Sequence, residues 1–187
     1  ADTGAMAKER MDAGFSAIKM NATEELQMID TYDKVDAVLE RVAAIRESCG
    51  KYFGIAIDFH GRVSPAMSIR LLKALEPYYP LFVEEPVLPE NVDEMVRVSR
   101  STTIPIAAGE RLFTKFGFRE LIEKQAVSVV QPDLCHCGGI FEARKIAAMA
   151  ETYYMQIAPH NPLGPISLAA CMQLDACVPN LLAQEHP

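Results

Sequence analysis

The stretch Ala56-Ile57-Asp58-Phe59-His60 is a short apolar run that ends in a carboxylate and an imidazole. Side chains on a strand alternate between its two faces, so Asp58 and His60 are predicted to point the same way. Further along the chain, other apolar runs also end in one acidic residue or one histidine. The complete series of polar ends is Asp58, Glu84, Glu110, Asp133, His160 and Glu185. Their spacing of about 23–27 residues matches one strand-plus-helix unit of a (β/α) barrel, which would bring the six groups to one rim.

Apolar residues at helical spacing separate these runs and predict a regular alternation of strands and helices. Seven strand runs are expected, the last over Leu181–Glu185, and such alternation implies a parallel sheet. We predict an α/β fold, a TIM-type (β/α) barrel treated as one catalytic domain over residues 1–187. A complete barrel takes about 250 residues, so this one is expected to be incomplete and to lack its first strand. The alternative is an open doubly wound sheet, which needs a glycine-rich phosphate loop where the sequence has Lys19-Met20-Asn21.

Composition excludes several classes of function. The net charge is −7 and no cluster of Lys and Arg is present, which argues against a nucleic-acid partner. No apolar run approaches the roughly 18 residues of a membrane span, and no signal peptide is apparent. The five cysteines are expected to be free thiols in a reducing cytoplasm. Among them, Cys135-His136-Cys137 matches no common zinc spacing and is interpreted as ordinary loop and core residues.

Asp58, Glu84 and Glu110 end three consecutive strand runs. Taken singly, each carboxylate is better explained as capping a helix or pairing with a basic residue on the rim. Three carboxylates within a few ångströms stay ionised together only when a cation lies between them. Because the three offer only oxygen ligands, the pattern favours Mg²⁺ over zinc.

The ends of the next strand runs offer groups for proton transfer. Asp133 and His160 end adjacent runs, and a carboxylate hydrogen-bonded to one ring nitrogen would orient His160 as a general base. His60, on the predicted strand face of Asp58, would stand beside the metal from another direction. Glu185 could donate a hydrogen bond to a developing oxyanion if it is protonated. His136 and His186 are interpreted as structural.

Six motifs in the chain resemble the mandelate racemase branch of the enolase superfamily. They are Asp58-Phe59-His60, Val83-Glu84-Glu85-Pro86, Gly109-Glu110-Arg111, Gln131-Pro132-Asp133, Ala158-Pro159-His160 and Gln184-Glu185. Within that branch, three further stretches look closest to the dehydratases that act on D-galactonate. These stretches are residues 18–29, residues 85–91 and His160-Asn161-Pro162-Leu163-Gly164-Pro165. The resemblance spans essentially the whole chain.

The resemblance implies a lyase that removes water from a small sugar acid, with Mg²⁺ on Asp58, Glu84 and Glu110. It also makes Glu84, rather than Glu85, the ligand of that pair. His160, with Asp133 as its partner, would take the α-proton, and His60 would protonate the departing hydroxyl. Glu185 would stabilise the enediolate intermediate, and the product would be a 2-keto-3-deoxy acid.

Racemases of this branch carry Lys-x-Lys where this chain has Lys19-Met20-Asn21, which weakens a racemase interpretation. Family members also carry an N-terminal capping domain and a C-terminal tail that do not match these residues, so the chain is expected to be a fragment of a larger protein. Two alternatives stay open: a racemase or cycloisomerase of the same superfamily, and a non-catalytic metal-binding barrel fragment. The resemblance also allows a homo-oligomer.

Overall fold

The computed structural model describes residues 2–186. Helices and parallel strands alternate along the chain, as the apolar pattern predicts. In order they are α1 (Thr3–Asp12), β1 (Ala17–Asn21), α2 (Tyr32–Cys49), β2 (Gly54–Asp58), α3 (Pro65–Leu75), a 3₁₀ turn (Glu76–Tyr78), β3 (Phe82–Glu84), α4 (Val92–Ser99), β4 (Ile106–Ala108), α5 (Thr114–Glu123), β5 (Val129–Val130), α6 (Gly139–Glu151), β6 (Gln156–Ile157) and α7 (Pro165–Asp175). The chain divides into two compact units, the first containing the residues up to Leu88 with Arg97–Pro105, the second Pro89–Val96 with the residues from Ile106 onward.

In the first unit, β1, β2 and β3 form a parallel ladder. Its register places Asn21 opposite Asp58, and Asp58 opposite Glu84. These three polar residues therefore end their strands at the same level.

Helix α2 has the apolar stripe that its sequence predicts, and the residues buried along it are Val35, Val38, Val42 and Ile45. Gly50 ends it with φ 77°, a left-handed conformation that glycine adopts without steric cost. Helix α3 begins where the Ser64 hydroxyl accepts a hydrogen bond from the backbone N–H of Met67.

In the second unit, β4, β5 and β6 form another parallel ladder. Helix α6 buries small and branched side chains at helical spacing: Ala143, Ile146, Ala147 and Ala150. Asp133 and His160 lie beyond the ends of β5 and β6, where they form an isolated parallel bridge. This single parallel pair therefore extends the pairing of β5 with β6 beyond the strands themselves.

Two expectations about strands are wrong. Strand β2 ends at Asp58, and His60 follows it in a turn with φ 52°, so strand alternation does not place its side chain. The expected strand over Leu181–Glu185 is reduced to one bridge, between Leu181 and Ile157. After Asp58 the backbone N–H groups of Phe59 and Gly61 still donate to Glu84 and Glu85, but the positive φ of His60 ends the strand alternation.

All five cysteines are free thiols, as expected. Within residues 2–186, no helix combines the length and the apolar character needed to cross a bilayer.

Candidate active site

Asp58 and Glu84 lie side by side at the ends of β2 and β3. Both are buried, with 3% of Asp58 and none of Glu84 exposed. Burial and the charge of Glu84 together raise the pKa of the Asp58 carboxyl. A divalent cation bound by both carboxylates would remove this repulsion and stabilise their charged forms. The pair is therefore suited to hold a metal ion.

Lys19 is a functional candidate that was not among the site residues predicted from the sequence. Its Nζ lies 2.7 Å from Oε1 of Glu84, and the side chain is only 20% exposed. The signal was present, because Lys19 precedes Asn21 by two residues on β1 and therefore shares its strand face. Asn21 is itself held in a turn, since its Oδ1 accepts hydrogen bonds from the backbone N–H and the hydroxyl of Thr23.

The structure brings His60 to Asp58 by a route other than strand alternation. The backbone N–H of His60 donates to Oδ1 of Asp58 over 2.7 Å, which closes a tight turn. The ring then folds back so that its Nε2 lies 3.0 Å from Oδ2 of the same carboxylate. A left-handed backbone at a non-glycine residue is strained, and here it aims an imidazole at a buried carboxylate.

In the second unit, Asp133 and His160 form a carboxylate–imidazole pair. Oδ2 of Asp133 lies 2.9 Å from Nδ1 of His160, and Oδ1 accepts from the backbone N–H of Cys135 over 2.7 Å. With Asp133 only 1% exposed, this carboxylate is held rigidly. A hydrogen bond from Nδ1–H to Asp133 leaves Nε2 as the nitrogen that can exchange a proton.

Glu110 approaches His160 from the end of β4. Its Oε2 lies 3.3 Å from Nε2 of His160. The backbone before it depends on Gly109, whose φ is 145°. A Cβ there would lie 2.7 Å from Cε1 of Phe118 and 2.9 Å from the backbone nitrogen of Gln131. Only glycine therefore lets β4 turn into Glu110 at this point.

Glu185 lies beside the residue that follows His160. Its Oε2 accepts a hydrogen bond from the backbone N–H of Asn161 over 2.7 Å. The Asn161 side chain is fully buried and donates to the Glu185 backbone carbonyl over 3.3 Å. Sequence reasoning missed Asn161, although its place directly after a candidate base was a usable signal.

His136 and the cysteines on either side of it have ordinary surroundings. His136 is half exposed, with its Nδ1 3.6 Å from Oδ2 of Asp133, and its ring packs against Phe113. Cys137 is buried, which raises the pKa of its thiol to about 11. Cys135 is exposed, and its thiol donates to the Ser167 hydroxyl over 3.5 Å.

Curated relatives of this chain are named D-galactonate dehydratase. One from Ralstonia pickettii (strain 12J) is 50% identical over 186 residues, covering 100% of this chain and 49% of the relative. Another from Cronobacter sakazakii (strain ATCC BAA-894) is 51% identical over 173 residues, covering 92% of this chain and 45% of the relative. The chain thus spans about half the length of the curated relatives it matches.

Solved structures similar to this chain include members of the enolase superfamily. A member of the enolase superfamily from Salmonella Typhimurium is 31% identical with a TM-score of 0.94, covering 98% of this chain and 50% of that chain. A mandelate racemase/muconate lactonizing enzyme-like protein from Rubrobacter xylanophilus DSM 9941 is 40% identical with a TM-score of 0.92, covering 97% and 48%. The family model described as enolase C-terminal domain-like matches residues 2–187, and the chain belongs to that family, whose fold is a TIM-type (β/α) barrel.

Proposed function

We propose that the protein containing this chain is a Mg²⁺-dependent sugar-acid dehydratase whose preferred substrate is D-galactonate. The observation that carries the proposal is the contact between buried Asp133 and partly buried His160, in a chain 50% identical to a protein named D-galactonate dehydratase. The reaction would convert the sugar acid to a 2-keto-3-deoxy acid by loss of water. The substrate, a small sugar acid, is the only partner that the proposal requires.

His160 is the proposed general base. The proton next to a carboxylate is very weakly acidic, so the base has to be held within reach of it by a rigid partner. Asp133 provides that partner through the 2.9 Å contact with Nδ1, and Nε2 then accepts the α-proton.

Asp58, Glu84 and Glu110 are the proposed metal ligands. Enolase-superfamily enzymes use a divalent cation, and the raised pKa of Asp58 beside Glu84 supports its placement at those two carboxylates. When bound, the cation supplies positive charge that lowers the free energy of the substrate enediolate. Glu110 is assigned by the family resemblance. Mg²⁺ is proposed over zinc because the ligands are all oxygens.

His60 and Glu185 complete the proposed reaction. The carbon–oxygen bond at the neighbouring carbon breaks, and His60 gives its proton to the departing hydroxyl, which leaves as water. Glu185 donates a hydrogen bond to the developing negative charge. The resulting enol becomes the ketone by gaining a proton at carbon 3.

A racemase of the same superfamily would need a second base on the opposite face of the substrate. Asn21, which stands where the racemases carry the second lysine of Lys-x-Lys, has an amide that accepts no proton at neutral pH. Its Oδ1 is already engaged by Thr23. This favours chemistry that uses one base and eliminates water.

The test is a screen of six-carbon aldonic acids with the full-length protein and Mg²⁺, with 2-keto-3-deoxy acids as the measured product. A dehydratase gives this product from D-galactonate, a racemase gives proton exchange with no loss of water, and a metal-binding protein gives neither. We expect His160→Asn to abolish exchange of the α-proton with D₂O. Exchange that persists in this variant would show that another residue is the base.

A further inference from the structure

We propose that Asn161 is a positioning residue which, together with Gln184, holds the Glu185 carboxylate beside the catalytic base. The inference rests on the proposed function for the chemical role of Glu185. The evidence for the positioning role is the set of hydrogen bonds that amide groups donate to Glu185.

Backbone pairing by itself holds Glu185 weakly. The bridge between Ile157 and Leu181 is isolated, and its hydrogen bonds run from Ile157 to Asn180 and from Leu182 to Ile157. Glu185 lies four residues beyond Leu181, in a segment that belongs to none of the strands β1–β6. A catalytic carboxylate on such a segment needs other restraints, because a displacement of about 1 Å from its productive position lowers the reaction rate strongly.

Two side-chain amides supply these restraints. Asn161 Nδ2 donates to the Glu185 backbone carbonyl over 3.3 Å, and Gln184 Nε2 donates to the same oxygen over 2.7 Å. Gln184 Nε2 also donates to the carbonyl of Pro159 over 3.3 Å. The amides thus tie the segment containing Glu185 to the loop that carries His160.

The backbone of Asn161 then fixes the carboxylate itself. Its N–H donates to Oε2 of Glu185 over 2.7 Å. This N–H belongs to the peptide unit directly after His160, so the base and Glu185 are held by one short piece of chain. If Glu185 acts as a hydrogen-bond donor, this contact makes Oε2 the accepting oxygen and assigns the proton to Oε1.

The burial of Asn161 also favours a specific role. The residue is fully buried, and its Oδ1 has no hydrogen-bond partner within the described residues 2–186. An unsatisfied buried amide oxygen costs about 1–3 kcal/mol, and an apolar side chain of similar size would avoid that cost. The donation from Nδ2 to the Glu185 segment gives a reason for the amide at this position.

The experiment is a double-mutant cycle in the full-length enzyme with Asn161→Ala and Glu185→Gln. We expect Asn161→Ala alone to lower kcat by about tenfold to a hundredfold while KM stays within about twofold. In the Glu185→Gln background the same change is expected to alter kcat less than about twofold. The carboxylate whose placement Asn161 controls is already absent in that background. An equal loss in both backgrounds would overturn the proposal.

Asn180→Ala is the matched control. Like Asn161, Asn180 donates from its side-chain amide to backbone carbonyls. Its acceptors are the carbonyls of Ala147 and Met155, and neither belongs to the segment that contains Glu185. We expect it to lower the thermal midpoint and leave kcat within about twofold. Should Asn161→Ala not fold, Gln184→Met removes the other donor and is expected to show the same coupling to Glu185; independence from Glu185 would contradict the proposal.

A failure of the proposed function would be visible separately. If the unmodified enzyme forms no keto acid from any aldonic acid, the function is wrong, and a crystal structure of the full-length Asn161→Ala variant decides the positioning role. A Glu185 carboxylate displaced by about 1 Å or more supports that role. An unchanged carboxylate overturns it.

Discussion

Individual polar groups in this chain are held by their neighbours in ways that set their chemistry. Asp133 is the clearest case, because its two oxygens have different partners. Oδ1 accepts from the backbone N–H of Cys135, and Oδ2 faces Nδ1 of His160. The carboxylate therefore has little freedom to rotate. Its contact with Nδ1 in turn fixes the orientation of the His160 ring.

Asp133→Asn is predicted to lower kcat by about a hundredfold to ten-thousandfold with a small change in KM. An amide NH₂ facing Nδ1 favours the ring tautomer whose Nε2 carries hydrogen and cannot accept the α-proton. Steady-state kinetics of the full-length enzyme measure this. His136→Gln is the control, since His136 lies 3.6 Å from the same Oδ2, beyond hydrogen-bond range, and we expect a change within about threefold. A comparable loss in both variants would contradict the structural interpretation of His136.

Asp175 predicts a measurable pH dependence of stability. Its Oδ1 is buried with no hydrogen-bond partner within residues 2–186, and burial raises its pKa from 3.8 to about 6. The folded state therefore binds the proton more tightly, and stability falls as pH rises from about 4 through about 6. Asp175→Asn is expected to raise stability by about 1–2 kcal/mol at pH 8 and to change it little at pH 4. Denaturant unfolding at both pH values tests this, and an equal effect at both would contradict it.

At the level of secondary structure, the ends of elements decide where the functional groups lie. Strand β4 leads into Glu110 only through the turn at Gly109. Helix α2 is joined to its surroundings at its C-terminal end by Arg46. These two junctions can be tested by single substitutions.

Gly109→Ala is predicted to destabilise the protein by about 2 kcal/mol or more and to reduce activity. The added Cβ would lie 2.9 Å from the backbone nitrogen of Gln131, which cannot move without disturbing β5. Gly139→Ala is the matched control, because Gly139 also has positive φ but its Cβ would meet nothing within 4 Å. Thermal denaturation compares the two, and similar midpoints would show that the close approach is relieved cheaply.

Arg46→Met is predicted to cost about 2–4 kcal/mol of stability. Its guanidinium donates to four backbone carbonyls, those of Gly50, Phe53, Tyr78 and Tyr79. Methionine keeps the apolar stem and leaves these carbonyls without their donor. Arg46→Lys is expected to restore part of the loss. A loss below about 0.5 kcal/mol in chemical denaturation would show that water replaces the guanidinium.

For the whole molecule, the central expectation is that a divalent cation supports both activity and folding. Chelation of the full-length enzyme is predicted to abolish dehydration and to lower the thermal midpoint, and added Mg²⁺ is expected to restore both. A cation that binds only the folded state stabilises it by mass action. Asp58→Asn should remove the Mg²⁺ dependence of the midpoint. A midpoint that still rises with Mg²⁺ in this variant would place the cation elsewhere.

Much of the fold was predictable from the sequence because burial imposes a period on the chain. The apolar stripe of α2, the alternation of strands with helices, and the polar residue at each strand end are all local patterns. The same patterns identified Asp58, Glu84 and the Asp133–His160 pair as neighbours on successive strands. The family resemblance then assigned roles that strand phase alone left open, such as the choice of Glu84 over Glu85.

Tertiary structure decided what local pattern could not. His60 reaches Asp58 through a left-handed turn, and Glu185 is held by amides of Asn161 and Gln184, because strand alternation had already ended at both places. The Lys19–Glu84 contact joins residues far apart in the chain. A periodic sequence determines which face of an element is buried. The partner that each polar group meets depends on where the folded chain returns, and no local period contains that information.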